Sequence, residues 1–200
     1  MDNLIGIVNY GVAGNIHSVK KAIEKADGKA LVINTTSDFD LVDKLVIPGV
    51  GSFKDAMQEL NSDGFIESLK SFNKPILGIC LGMQILAKLG FEYGKTRGLS
   101  LLDAEVKLIQ CHGKVPHMGF NKIQVANSNI LLDGIENEEF YFMHSYEMIN
   151  YTNIIALTEY ENHSFVSVIH KDNLYGVQFH PEKSRESGIR LLSNFIKLKA

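Results

Sequence analysis

The chain has 200 residues, with 20 Lys plus Arg against 23 Asp plus Glu and a formal net charge of −3. At about 100–200 residues per domain, that length allows one large domain or two small ones and leaves little room for a synthase with two separate active sites. The near-balanced charge, with no segment dense in Lys or Arg, removes the strongest case for a nucleic-acid binder.

The chain begins Met-Asp-Asn, with an acid where a signal peptide carries basic charge, and no apolar run reaches the roughly 18 residues needed to span a bilayer. The expectation is a soluble cytoplasmic protein. Residues 4–9, 30–34, 44–48 and 75–80 read as strands, and 15–25, 52–60, 63–72 and 81–89 as the helices between and after them. Strands that alternate with crossover helices and carry few polar residues predict a parallel sheet covered on both faces. From about residue 99 shorter alternating strands follow, at 103–109, 121–126, 140–144, 154–159, 164–170 and 174–179, before a closing helix at 186–197. There is no internal repeat or low-complexity tract. The expected architecture is one α/β domain over residues 1–200, a mostly parallel central sheet flanked by helices with a smaller antiparallel or mixed extension.

Two cysteines, Cys80 and Cys111, cannot build a disulfide framework, so at least one is free to be chemical. Around the first, Pro75-Ile-Leu-Gly-Ile-Cys80-Leu-Gly-Met-Gln runs an apolar strand straight into a helix, with Gly78 and Gly82 two residues away on either side. A nucleophile on a sharp strand-to-helix turn needs such small neighbours, because the backbone is strained and the surrounding chain approaches closely. It also sits at a helix N-terminus, whose unsatisfied N–H groups attract negative charge. Read alone, Cys80 is equally a small buried hydrophobe. A partner base is supplied by Gln178-Phe-His180-Pro-Glu182, where Pro181 stiffens the link and a two-residue spacing puts His180 and Glu182 on one face of an extended segment. Read alone, His-Pro-Glu is equally a surface turn. Together the two segments make a Cys-His-Glu version of the Ser-His-Asp triad.

An acyl-transfer site also needs oxyanion donors. The Leu81 N–H is the first, and the glycine-rich exit Val46-Ile-Pro-Gly49-Val50-Gly51-Ser52 is the best source of a second. That loop reads otherwise as an ordinary turn, and its spacing fits neither Walker A nor G-x-G-x-x-G. Cys111 is expected to be inert, since its neighbour His112 points to the opposite face of a strand. His17, His112, His117, His163 and His170 show no metal-ligand spacing with the cysteines.

Gly78-Ile-Cys80-Leu-Gly-Met-Gln84 with His180-Pro-Glu182 resembles the class I, triad-type glutamine amidotransferases, which hydrolyse glutamine and pass ammonia to a synthase. Pro48-Gly-Val-Gly-Ser-Phe-Lys-Asp-Ala-Met, Lys114-Val-Pro-His-Met-Gly-Phe-Asn121, Tyr141-Phe-Met-His-Ser-Tyr146 and Gly176-Val-Gln-Phe-His-Pro-Glu-Lys-Ser184 extend the likeness nearly end to end. Within the class they most resemble the glutaminase subunits of imidazole glycerol phosphate synthases. The resemblance implies a flavodoxin-like fold, with Cys80 as nucleophile, His180 as acid/base and Glu182 as its orienting partner. It implies oxyanion donors from the backbone of Leu81, Val50 and Gly51, and glutamine contacts from Gly49, Gln84, Glu92, His144, Ser145 and Tyr146. Glu92 on its own would read as a solvated residue after a helix. The implied partner is a (β/α)₈-barrel cyclase, paired as a heterodimer and docked at Asn15, Met118, Phe120, Asn121 and Lys183. No metal or organic cofactor is required.

The sequence departs from that family twice. Asn9-Tyr-Gly-Val-Ala-Gly-Asn15 stands where an acid and one residue fewer are usual, and Phe120 where Trp is common. Both lie on the implied synthase face. They keep open a paralogous glutaminase that feeds a sugar-modifying amidotransferase of surface-glycan synthesis. A regulatory subunit with a vestigial triad is the third reading, and the complete Cys80, His180 and Glu182 set argues against it.

Overall fold

The computed structural model describes residues 3–11 and 15–199. Strands β1 (Leu4–Val8), β2 (Lys29–Ile33), β3 (Lys44–Ile47) and β4 (Ile76–Ile79) pair in parallel in the order β2-β1-β3-β4. Every residue of β3 and β4 is buried, as the scarcity of polar residues predicts for strands covered on both sides. Helices α1 (Ile16–Lys25) and α5 (Arg185–Ile196) build one apolar layer, with Val19, Ile23, Leu191, Leu192 and Phe195 at its centre. Helices α2 (Phe53–Ser62) and α3 (Phe65–Ser71) build a second around Ala56, Leu60, Phe65 and Leu69. Burying each large apolar side chain contributes about 1.5–3 kcal/mol, so the layers hold these short helices in place. α2 starts at Ser52, whose hydroxyl accepts from the Asp55 N–H at 3.2 Å. α3 starts two residues later than the sequence predicts, because Gly64 takes the left-handed conformation (φ +71°) and breaks it from α2.

Three expectations are corrected. The first concerns 174–179, grouped by the sequence with the later strands of an antiparallel or mixed extension. Here β14 (Leu174–Val177) lies parallel to β4, pairing Gly176 with Gly78. Only beyond it does the eight-stranded sheet turn antiparallel, through β13 (His163–Lys171), β12 (Ile154–Tyr160) and β9 (Gln124–Val125).

The second concerns the helix expected at 81–89. Helix α4 spans only Leu81–Gln84, and the chain leaves as β5 (Ala87–Gly90). The carbonyls of Ile85 and Leu86, which a longer helix would use, instead accept from the N–H groups of Leu99, Leu101 and Leu102. β5 joins a second sheet in the order β11-β7-β5-β6, made with β6 (Thr96–Arg97), β7 (Leu102–Leu108) and β11 (Tyr146–Ile149).

The third is the strand at 121–126, which divides. β8 (His117–Lys122) pairs with β10 (Glu139–His144), while β9 joins the main sheet, and the buried Ile123 lies between them. β3, β4 and β14 run in the same direction and end on the same edge. Their exits carry residues 48–52, Cys80 and His180, at the carboxyl edge where open α/β sheets bind ligands.

Candidate active site

Cys80 stands between β4 and α4 with φ 52° and ψ −107°, a conformation costly for any residue with a side chain. Two hydrogen bonds hold it: its N–H donates to the Val177 carbonyl at 2.8 Å, and its carbonyl accepts from the Gln84 N–H at 3.1 Å. Close approach explains both flanking glycines. A Cβ on Gly78 would stand 2.6 Å from the Gly82 carbonyl oxygen, and one on Gly82 only 1.8 Å from the Ile47 carbonyl oxygen.

His180 follows β14, its N–H donating to the Tyr141 carbonyl at 2.8 Å. Its Nδ1 meets Glu182 Oε1 at 2.8 Å, with both side chains essentially sealed from solvent at 1% and 0% exposure. The pairing is as the sequence predicts but its cause differs. Pro181–Lys183 form a 3₁₀ turn, not an extended segment, and the turn brings the carboxylate back under the ring. Ser184 locks it by donating to the His180 carbonyl at 2.7 Å and accepting from the Tyr141 N–H at 2.9 Å. Burial works against a charged imidazole. The Cys80 sulfur, by charge and hydrogen bonding, and then Glu182, outweigh it and raise His180 to about 10. Nε2, the other ring nitrogen, is buried with no well-aligned hydrogen bond. Asn15, expected at the partner face, donates from Nδ2 to the same Glu182 oxygen.

Cys80 and His180 line a cavity of about 220 Å³ with Val50, Gly51, Leu81, Gln84, Glu92, Pro116, Met143, His144, Ser145 and Tyr146. That is smaller than the roughly 300–1,000 Å³ typical of drug-sized ligands and suits one small metabolite. Every residue expected at a glutamine pocket lies here except Gly49. A Cβ there would meet the Leu81 Cβ at 2.6 Å and Tyr10 Oη at 2.8 Å, so Gly49 is a spacer that lets the loop lie against α4. Glu92 is half-buried and accepts from the Phe53 N–H at 2.7 Å. Burial raises its pKa, the Phe53 N–H offsets part of this, and Asp55 adds to the rise. A larger cleft of about 490 Å³ between α1 and α5 has no cysteine or histidine in its lining.

Three further buried polar residues, to which the sequence assigns no role, stand around the site. Tyr10, at the end of β1, donates its hydroxyl to the Pro48 carbonyl and so fixes the 48–52 exit. Burial, and then the charge of Cys80, hold its pKa well above the usual tyrosine value. His117 Nδ1 meets His144 Nε2 at 3.2 Å, and His144 Nδ1 meets the Tyr146 carbonyl at 2.9 Å. Since a carbonyl only accepts, His144 carries its proton on Nδ1 and His117 donates to its Nε2. Desolvation lowers these two histidines to about 4 and about 3, respectively. Gln178 is fully buried beside the sulfur. The signal for it in the sequence is one polar amide within the otherwise apolar stretch 174–179.

Of the residues expected at the partner face, Met118 and Phe120 are exposed on one side of β8. Lys183 lies over the Tyr141 ring and Arg185 over Phe120, 5.7 Å and 4.4 Å from the centroids. Asn121 is tied into the sheet edge by its 2.9 Å bond to the Glu159 carbonyl. The unusual loop at 9–15 includes residues 12–14, which lie outside the described residues. Among the described residues no three His, Cys, Asp or Glu side chains are grouped to hold a metal ion, and no helix is long and apolar enough to cross a membrane.

A family model described as glutamine amidotransferase class-I matches residues 7–198. The chain is 41% identical over 202 residues to imidazole glycerol phosphate synthase subunit HisH 1 of Campylobacter jejuni, covering 98% of this chain and 100% of the relative. It is 42% identical to subunit HisH 2 of Methanococcus maripaludis, covering 97% and 99%. Among solved structures, PurLQS from Thermotoga maritima superposes with a TM-score of 0.71 at 16% identity, covering 98% of each chain. The glutaminase domain of Trypanosoma brucei CTPS gives 0.66 at 16% identity, covering 99% and 95%. At such identities the structures speak to fold.

Proposed function

Because the chain belongs to the class I glutamine amidotransferases, we propose that it is the glutaminase subunit of an imidazole glycerol phosphate synthase, hydrolysing glutamine to glutamate and ammonia for a barrel cyclase. The observation that carries the chemistry is the strained Cys80 in one small cavity with a His180 that is raised in pKa and tied to Glu182. The likeness to two HisH subunits over nearly their whole length carries the choice of synthase.

In this mechanism the Cys80 proton passes to His180 Nε2, the nitrogen not committed to Glu182, and the electron pair left on sulfur attacks the side-chain amide carbon of glutamine. The carbonyl π pair moves onto oxygen. Leu81 N–H, the first donor of α4, and an N–H of residues 50–51 accept that charge. The imidazolium then gives its proton to the departing nitrogen, which leaves as ammonia, and a thioester remains. Water, losing a proton to the same ring, opens the thioester through a second oxyanion and releases glutamate. Glu182 holds the imidazole in one tautomer throughout, and Asn15 holds Glu182. Glu92 suits the substrate ammonium. Gln84 offers the substrate only its oxygen, since its Nε2 already donates to the Tyr146 carbonyl and to Gln178 Oε1. Ammonia released into water would be protonated and lose its nucleophilicity, which gives a docked partner its chemical purpose.

The test is glutamate release by the purified chain, with and without a purified barrel cyclase and its nucleotide substrate. Cys80→Ala should abolish release at an unchanged melting temperature, and the cyclase should stimulate the parent. Undiminished hydrolysis in Cys80→Ala would overturn the chemistry, and indifference to the cyclase would overturn the choice of synthase.

A further inference from the structure

Gln178 has 0% exposure, immediately beyond the four buried residues of β14, and its side chain makes two hydrogen bonds. Gln84 Nε2 donates to its Oε1 at 3.0 Å, and its own Nε2 reaches Cys80 Sγ at 3.5 Å. The polarity of this chain is fixed from its far end. The Tyr146 carbonyl can only accept, so the atom of Gln84 that faces it at 2.9 Å must be the nitrogen. The second proton of that nitrogen points at Gln178, so oxygen is the end of Gln178 that receives it. The opposite end is then an N–H₂, and it faces the sulfur. Were the Gln178 amide flipped, two donors would oppose each other at one end and an oxygen would face the sulfur at the other. In a buried network each unsatisfied partner costs about 1–3 kcal/mol, so one orientation dominates.

We infer that Gln178 is a positioning residue for the nucleophile: its amide N–H₂, oriented by Gln84 and the Tyr146 carbonyl, holds the Cys80 sulfur as a thiolate once His180 has taken the proton. The inference rests on the glutaminase reading of the site and deepens it. A donor aimed at a charged sulfur favours the charged form. It also links the nucleophile to the segment that lines the substrate cavity, because the far end of the chain is the backbone of Tyr146. Other titratable groups act on the sulfur from two sides, His180 from the turn after β14 and Tyr10 from the end of β1, with Glu182 behind His180. None of them is altered by a substitution at 178.

The test uses a Cys111→Ser background so that only Cys80 reacts, and measures the rate of alkylation by iodoacetamide against pH, which needs no glutamine. Gln178→Met keeps the length of the side chain and removes the donor. Its alkylation rate at pH 7 should fall about tenfold, with the pH profile displaced upward, the size expected for one hydrogen bond to a charged group. In glutamate release kcat should fall by a similar factor with KM little changed. Gln178→Glu, which sets a carboxylate against the sulfur, should fall further. Folding is checked by urea unfolding, and Gln84→Met supplies a second variant that removes the orienting donor without touching position 178, predicting a smaller displacement in the same direction. A folded Gln178→Met with the parent's alkylation profile would overturn the inference. If the parent shows no glutamate release while Gln178→Met still displaces the profile, the glutaminase reading fails and the role of Gln178 toward the sulfur stands.

Discussion

At the scale of single residues, the sharpest consequence comes from the two neutral histidines behind the cavity. His117 and His144 have 2% and 5% exposure, and burial keeps both pKa values far below the unfolded histidine value of about 6.5. Between about pH 6.5 and 4 the unfolded chain therefore binds protons that the folded chain does not. Stability from these groups is full above about pH 6.5 and is lost as pH falls, by up to about 1.4 kcal/mol per pH unit for each histidine. His117 lies stacked against Phe142 and Tyr160, at 5.0 Å and 4.0 Å between centroids, so His117→Phe should fit the same slot. Urea unfolding at pH 4.5, 5.5 and 6.5 should give a shallower loss of stability in that variant than in the parent. Equal slopes would mean that His117 takes a proton in the folded state. Neither histidine's burial was legible in the sequence. His117 and His144 are 27 residues apart and meet only because β8 and β10 pair them directly. Cys80 and His180 are 100 apart and were legible, because each carries its own local signal in the flanking glycines and the His-Pro-Glu turn.

At the scale of elements, the glycine pattern is the part of the site that the sequence expresses best, and helix length the part it expresses worst. G-x-C-x-G predicted a tight strand-to-helix turn, and the missing Cβ atoms of Gly78 and Gly82 are where α4 presses on its own strand and on β3. The apolar run from Leu81 to Leu89 fits a buried helix and a buried strand equally well, and periodicity alone does not separate them. What stops α4 at Gln84 is distant: the N–H groups of Leu99, Leu101 and Leu102 claim the carbonyls of Ile85 and Leu86. The parallel setting of β14 was hidden for the same reason, since its four buried residues alternate no differently beside β4 than they would in a hairpin. Gly82→Ala tests the elbow as an element. Its Cβ would fall 1.8 Å from a backbone oxygen of β3, which no rotamer relieves, so α4 must move. The variant should lose about 1–3 kcal/mol in urea unfolding and most of its glutamate release. Parental values on both measures would show that the turn has slack.

At the scale of the whole molecule, β8 and β10 have two faces with different tasks. One face presents Met118 and Phe120 to solvent at 58% and 39% exposure, edged by Arg185 and Lys183. The other buries His117 and His144, and from there hydrogen bonds run through the Tyr146 carbonyl and Gln84 to Gln178 and the Cys80 sulfur. Exposed apolar side chains in a row beside cations are the composition of a protein-docking surface, and on the proposed function the barrel cyclase covers them. A partner seated there presses on strands whose reverse side carries the pocket. Met118→Glu places a charge at the middle of that surface without replacing any residue of the cavity or the buried chain, its cross-strand neighbour being Met143 of the cavity lining. Glutamate release by the isolated chain should match the parent. Affinity for the cyclase should fall about thirtyfold, the effect of losing about 2 kcal/mol at a central interface position, and stimulation at fixed cyclase concentration should fall with it. Titration of each chain with cyclase, read by glutamate release, separates the possibilities. Unchanged affinity would move the docking face elsewhere, and a loss of basal release without cyclase would mean that this face of β8 supports the pocket directly.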